Sequence, residues 1–311
     1  MNPEISREQL FLSEISAWKV GPDERVNSAE EWFLRRANLD LWHLQGNPDE
    51  ESSFRLRHSV DEAVSTKEFL ERRAREEWGR YERAFPAESE RMLGIARQSA
   101  LVAFRRGWLG EPRPVRIVVC PTNERVHESS GRLTLVGMNA EDSLVAHETG
   151  HALSDDPNGP RSGFFEKTEG PNARGIGSNT LNEGTTIRFE YAVLAQPPEA
   201  IDAIYHESLY GFFRDLTAFV RESSGISDDD WMKAYFGDLS RMRKLEDAVR
   251  ARFGLELESI DLLSSVTTDI GLARRALNRE PVSVRIHRRP DEKADWVRSE
   301  IARVFPSITI P

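Results

Sequence analysis

Leu144-Val145-Ala146-His147-Glu148-Thr149-Gly150-His151-Ala152-Leu153 is the stretch on which the reading of this chain turns. Its centre has the pattern H-E-x-x-H on an apolar segment. In a helix, residues four apart share one face, one turn above the other. His147 and His151 can then offer two imidazole nitrogens to one cation, and neutral imidazoles suit zinc at about 2.0–2.1 Å. Glu148 faces the same cleft and is not a ligand. Its role would be to take a proton from a water whose pKa the metal lowers to about 7. Composition alone produces such a pattern in roughly one chain in a hundred of this size and histidine content. The motif therefore asks for more: a helical setting, a strand just before it and a third ligand downstream.

The residues before the motif supply the strand. Val115-Arg116-Ile117-Val118-Val119-Cys120 is short and β-branched, which predicts a buried strand. Pro121-Thr122-Asn123 turns the chain, and the turn-forming Ser129-Ser130-Gly131 precedes a second expected strand over 132–138. Asn139 is the expected N-cap of the motif helix, with Glu141 and Asp142 at its positive end. A strand at the edge of a sheet beside such a helix can pair with an extended peptide through its main chain.

After the motif, residues 154–180 are rich in glycine and proline. A connection this long inside a domain is usually functional or mobile, so it is expected to border the cleft. Phe164 and Phe165 there are candidates either for substrate contact or for anchoring the loop to the core. Next comes Asn179-Thr180-Leu181-Asn182-Glu183-Gly184-Thr185-Thr186-Ile187-Arg188-Phe189-Glu190-Tyr191. As a helix capped by Ser178 or Asn179, it puts Glu183, Ile187, Tyr191 and Leu194 on one stripe. A carboxylate on an inward face needs a partner, and a divalent cation is one of the best. An internal arginine is the other reading. Gly184 costs helix propensity but lets another backbone come close.

His147-Glu148-Thr149-Gly150-His151 followed by Leu181-Asn182-Glu183-Gly184-Thr185 resembles the gluzincin branch of the zincin metallopeptidases. The resemblance spans about 70 residues, roughly 115 to 194. It implies an α+β, mostly helical zincin-like fold with a small sheet and zinc (Zn2+) as the cofactor. By position, His147, His151 and Glu183 would be the metal ligands and Glu148 the general base. The gap from His151 to Glu183 is longer than in thermolysin-like enzymes, and no Asp follows the Glu to orient the first histidine. Asp155, Asp156 and Glu190 are the nearest carboxylates for that role. A metzincin would need Gly at 154 and His at 157, where the chain has Ser154 and Pro157. An aspzincin would use Asp155. Gluzincins also commonly use a Tyr or His to stabilise the oxyanion. Of Tyr191, Tyr205, His206, Tyr210 and Tyr235, the choice falls on Tyr235 in Trp231-Met232-Lys233-Ala234-Tyr235-Phe236.

Composition sets the outer limits. The 311 residues are 39% hydrophobic and 30% charged, with a net charge of −10. Such a balance argues against nucleic acid as the main partner, since phosphate binding needs a basic face. One cysteine, Cys120, permits no disulfide within the chain. The first residues lack a basic segment followed by an apolar one, and no apolar run approaches membrane length, so a cytoplasmic protein without a membrane span is expected.

Three regions follow: an N-terminal helical region over 1–110, the zincin-like core over 111–196 and a helical C-terminal subdomain over 197–311. In the first, Ser6 with Gln9, Ser28 with Glu31 and Ser59 with Glu62 fit capping boxes. Helices are expected over 60–85 and 88–106, broken by Pro86. His43 and His58 have no ligand-spaced partner. In the third, helices are expected near 198–222, 227–236, 239–253, 266–278 and 291–304, with a short strand at 282–286 and a basic patch around His287. The expected activity is hydrolysis of peptide bonds in a peptide or protein substrate. The alternative is a metal-binding or interaction protein without peptidase activity.

Overall fold

A computed structural model describes residues 6–19, 60–120, 125–128, 133–167, 177–195, 208–284 and 292–310. It is mostly helical with small sheets, an α+β protein. The expected capping boxes at Ser28 and Ser59, His43, His58, Tyr205, His206 and the patch at His287 lie outside the residues whose side chains are described. Among the described residues, no helix is long and apolar enough to cross a membrane.

The chain opens with α1 (Arg7–Ser13), started by a full capping box between Ser6 and Gln9. It runs into β1 (Ile15–Lys19). Helices alone were expected here, and β1 is a correction. Its five residues alternate only weakly, and the strand is made by pairing parallel to β2 (Val115–Cys120), a hundred residues away. The sheet order is β1-β2-β4-β3, where β3 is Arg125–Glu128 and β4 is Leu133–Gly137. β4 lies parallel to β2, and β3 lies antiparallel to β4. The strand that ends the sheet on the side of β4, among the described residues, is β3. The expected boundary at 110 runs through this sheet, with β1 on one side of it and β2 on the other.

The helix α2 (Val60–Arg105) is continuous through Pro86, where a break was expected. Proline removes one N–H and leaves the carbonyl four residues back without its helical donor. Here Pro86 and Glu82 are both exposed, so that carbonyl stays accessible to water. The opposite face holds Tyr81, Met92, Ala96, Ala100 and Ala103 in the core, and Tyr81 donates a 2.7 Å hydrogen bond to the Val119 carbonyl. Packing on both sides of Pro86 outweighs the local penalty.

β4 leads into the motif helix α3 (Asp142–Ser154). Asn139 does not cap it. Its φ is +66°, a left-handed conformation that Asn tolerates but an N-cap does not use. Glu141 takes the cap position without a side-chain bond. Arg91 of α2 fixes this entry, pairing with Asp142 and donating to the Ala140 carbonyl at 2.7 Å.

Two short strands, β5 (Arg161–Ser162) and β6 (Phe165–Glu166), form a hairpin before α4 (Asn179–Leu194). The rest is helical: α5 (Leu209–Ser223), α6 (Asp228–Tyr235), α7 (Leu239–Phe253), a 3-10 turn Leu257–Ile260 with α8 (Asp261–Ser264), α9 (Ile270–Leu277) and α10 (Glu292–Val304). β7 (Val282–Ser283) pairs parallel to β8 (Ile308–Thr309). α5 begins at its cap Ser208, and α9 at its cap Asp269.

Both α3 and α4 are core helices. Each buries ten residues and shows no polar side, the pattern of a helix enclosed on all faces. For this reason the stripe expected on α4 is only part of its buried surface: Ile187 is buried, while Tyr191 and Leu194 are half-buried and Phe189, Glu190 and Val193 lie fully inside. Glycines let these helices approach. A Cβ at Gly150 would lie 2.9 Å from Phe189 Cδ1 and 3.0 Å from Thr186 Cγ2 across the α3–α4 contact. At Gly184 a Cβ would overlap Thr217 and the Phe213 carbonyl of α5. The close approach expected of Gly184 is thus made to α5, and Gly150 lets α3 and α4 approach.

Candidate metal centre

α3 places His147 and His151 one turn apart, with ring centroids 4.8 Å from each other. α4 brings Glu183 to meet them. The Nε2 atoms of the two histidines are 3.1 Å apart, and Glu183 Oε2 lies 3.1 Å from His147 Nε2 and 3.5 Å from His151 Nε2. Three donor atoms therefore converge on one point, as a group that could hold a metal ion. The start of α4 is fixed by Ser178, whose hydroxyl accepts from Leu181 N at 3.2 Å. Asp261 adds a carboxylate there: Oδ1 accepts from Ser178 Oγ at 2.7 Å and Thr180 N at 2.9 Å, and Oδ2 from Asn179 N at 2.7 Å. A negative group at a helix N-terminus is favourable, and this one sets the register that aims Glu183.

The far nitrogens of the imidazoles are held from behind. His147 Nδ1 lies 2.5 Å from Oε1 of Glu190, which is fully buried. A carboxylate only accepts, so Nδ1 carries a proton toward Glu190 and Nε2 is turned toward Glu183 and His151. Of the three carboxylates considered for this role, Glu190 occupies it. Asp155 instead pairs with Lys167 at 2.5 Å, and Asp156 lies 3.6 Å from Arg113. His151 Nδ1 has neutral neighbours: the Asn182 side-chain amide at 3.2 Å, Thr186 Oγ1 at 3.4 Å and Tyr235 OH at 3.5 Å. Thr186 and Asn182 were not singled out from sequence. The available signal was a polar residue four positions from another on an otherwise apolar helix.

Tyr235, the residue chosen from sequence, lies behind His151. It is fully buried, and its hydroxyl lies 2.7 Å from Thr186 Oγ1. It stands on the Nδ1 side of His151, away from the converging donor atoms. Burial pushes its phenol up from the ordinary value. Among the described residues, the exposed tyrosine near the cluster is Tyr210, in the first turn of α5. It is 43% exposed, and its ring centroid is 6.0 Å from that of His147. Phe164 is also settled: it is fully buried against Trp231 and Tyr235 at 5.5 Å each, so it anchors the loop. Phe165 is half-buried.

The electrostatics ask for positive charge. Burial pushes the His147 imidazole down, but hydrogen bonds and charge from Glu183 and Glu190 outweigh it and raise the group to about 10. Burial pushes Glu183 up, and the two histidines more than reverse this, holding it well below the usual carboxylate range. Glu148, one residue from His147, is only 6% exposed. Its carboxylate makes no hydrogen bond or ion pair among the described residues. An enclosed carboxylate without a protein partner is costly unless something else in the site supplies one.

The donor set passes a geometric test. Ligands 2.0–2.1 Å from a tetrahedral zinc lie about 3.3 Å from one another, and the three separations here are 3.1, 3.1 and 3.5 Å. Two neutral imidazoles with one carboxylate also leave a fourth position for water or substrate, as catalytic zinc sites do. A comparison of the chain with protein-family models, curated proteins and solved structures finds no match.

Proposed function

We propose that this chain is a zinc-dependent peptidase with a zincin-like arrangement, in which His147, His151 and Glu183 hold the ion and Glu148 is the general base. The observation that carries this reading is the convergence of the three donor atoms at the spacing of a tetrahedral site, beside a buried carboxylate with no other partner. A zinc ion held there supplies a Lewis acid that activates a water and polarises a substrate carbonyl. Glu148 takes the proton that the water gives up and returns it to the leaving amine. A structural site would close its fourth position with a protein ligand and would need no such base.

Two further groups fit the reading. Tyr210 replaces Tyr235 as the hydroxyl facing the substrate, where it donates to the oxygen that gains charge. β3, which ends the sheet among the described residues and lies against α3, offers its backbone to an extended peptide. The test is Glu148→Gln, assayed on an unfolded protein substrate with metal content measured in parallel. The proposal expects the metal to stay and cleavage to fall by at least about a hundredfold. A metal-loaded wild type that cleaves nothing, or a variant that cleaves as well as wild type, would point to the alternative of a metal-binding protein without peptidase activity.

A further inference from the structure

A second site lies on the other side of α4. Gly184 and Arg188 of α4 line a cavity of about 210 Å3 together with Arg214, Asp215, Ala218 and Arg221 of α5. Three guanidinium groups against one carboxylate give these walls a net positive charge, in a chain whose net charge is −10. Ala218 is the small side chain among the α5 residues that line it.

Arg214 pairs with Asp215 at 2.8 Å, whereas Arg188 and Arg221 share one carboxylate. The Arg221 side chain is only 11% exposed, and its Nε is buried with no hydrogen-bond partner among the described residues. Arg188 is 35% exposed. Both pair with the same carboxylate, Asp228, which is 55% exposed. Arg221 also reaches Glu222 at 3.0 Å, a side chain 69% exposed. The partner carboxylates are the exposed members of these pairs, while the Arg221 guanidinium is mostly enclosed. Burial, and for Arg221 the nearby Arg188, disfavours the charged guanidinium groups. Two forked donors at the edge of one small cavity match the planar, doubly accepting face of a carboxylate or phosphate.

We propose that this cavity binds a small anion carrying a carboxylate or a phosphate group, held by Arg188 and Arg221 between α4 and α5. The site is independent of the metal reading, since it uses none of the metal ligands. Binding only to the folded chain must stabilise it, and at ten times the dissociation constant the unfolded-to-folded ratio falls about tenfold.

Thermal unfolding and calorimetric titration of the full chain test this, with inorganic phosphate and acetate as probes and sodium chloride at equal ionic strength as the control for screening. The expected result is a midpoint rise and a binding heat with one or both probes and not with chloride. The probe that responds identifies the group. Arg188→Gln and Arg221→Gln should remove the response. Ala218→Met, which fills the cavity and leaves every ion pair in place, should remove it too while circular dichroism stays native. Equal midpoint rises with chloride, no response to either probe, or a response that survives in Ala218→Met would overturn the proposal.

Discussion

Gly184→Ala is the perturbation that probes the frame of the site most sharply, because local and tertiary effects have opposite signs. Alanine in place of glycine within a helix gains about 1 kcal/mol from propensity and unfolded-state entropy. Gly94 in α2 is exposed and a Cβ there meets nothing within 4 Å, so Gly94→Ala should show that gain in full. At Gly184 the new Cβ would lie 2.8 Å from the Phe213 carbonyl carbon and closer still to its oxygen and to Thr217 Oγ1. Ordinary carbon contacts are about 3.5–4.0 Å. α4 and α5 must therefore part by roughly 0.7–1 Å, and a backbone carbonyl cannot rotate aside as a side chain can.

Overpacking of this kind costs about 1–3 kcal/mol and occasionally more. With backbone as the obstacle, the upper end applies, and it exceeds the propensity gain. The two variants should differ by about 3 kcal/mol, or roughly 6 °C in midpoint for a chain of this size. Because Glu183 precedes Gly184, the shift also displaces a ligand, so Gly184→Ala should take up metal more weakly. Thermal and urea unfolding measure the first effect, and titration against a chromophoric chelator the second. If Gly184→Ala is stabilised alongside Gly94→Ala, the packing of α4 on α5 is not as described and the reasoning fails.

Other outcomes follow from the same geometry. His147 has a raised pKa in the metal-free chain, about 10, so its contribution to stability is fully present below about 6.5 and is lost as pH rises through 10. Urea midpoints of metal-free protein should fall over that window, and a rise would contradict it. The same proton must leave when a metal enters, so apparent affinity should grow about tenfold per pH unit for each proton released between pH 6 and 8. A pH-independent constant would show that His147 is already free. Tyr210→Phe should lower kcat/KM by about a hundredfold with metal affinity unchanged. Tyr235→Phe should instead cost about 1 kcal/mol of stability by leaving buried Thr186 short of a partner, and equal effects of the two variants on kcat/KM would refute this division of roles.

The parts of the site that the sequence revealed were those set by local spacing. The interval of four between His147 and His151, the Ser178 cap and the β-branched run 115–120 all act within a few residues, and each stands where it was expected. Glu183 was legible because a carboxylate on an inward helix face needs a partner. What escaped was decided by distant partners. β1 is a strand because β2 lies beside it, and Pro86 stays in a helix because packing holds both flanks. Asn139 adopts a left-handed conformation, and the helix that follows is fixed from α2 by Arg91. Tyr235 and Tyr210 could not be ranked from sequence, because only the packing of α5 and α6 decides which faces the cleft and which is enclosed behind His151.

The most direct measurement is metal content by elemental analysis of the purified chain beside Glu183→Ala, each after exposure to zinc and dialysis. The account predicts about one zinc per chain in the wild type and little or none in the variant, because two imidazoles alone leave the site one ligand short. Full zinc occupancy without Glu183, or none in the wild type, would contradict the three-ligand centre on which the proposed activity rests.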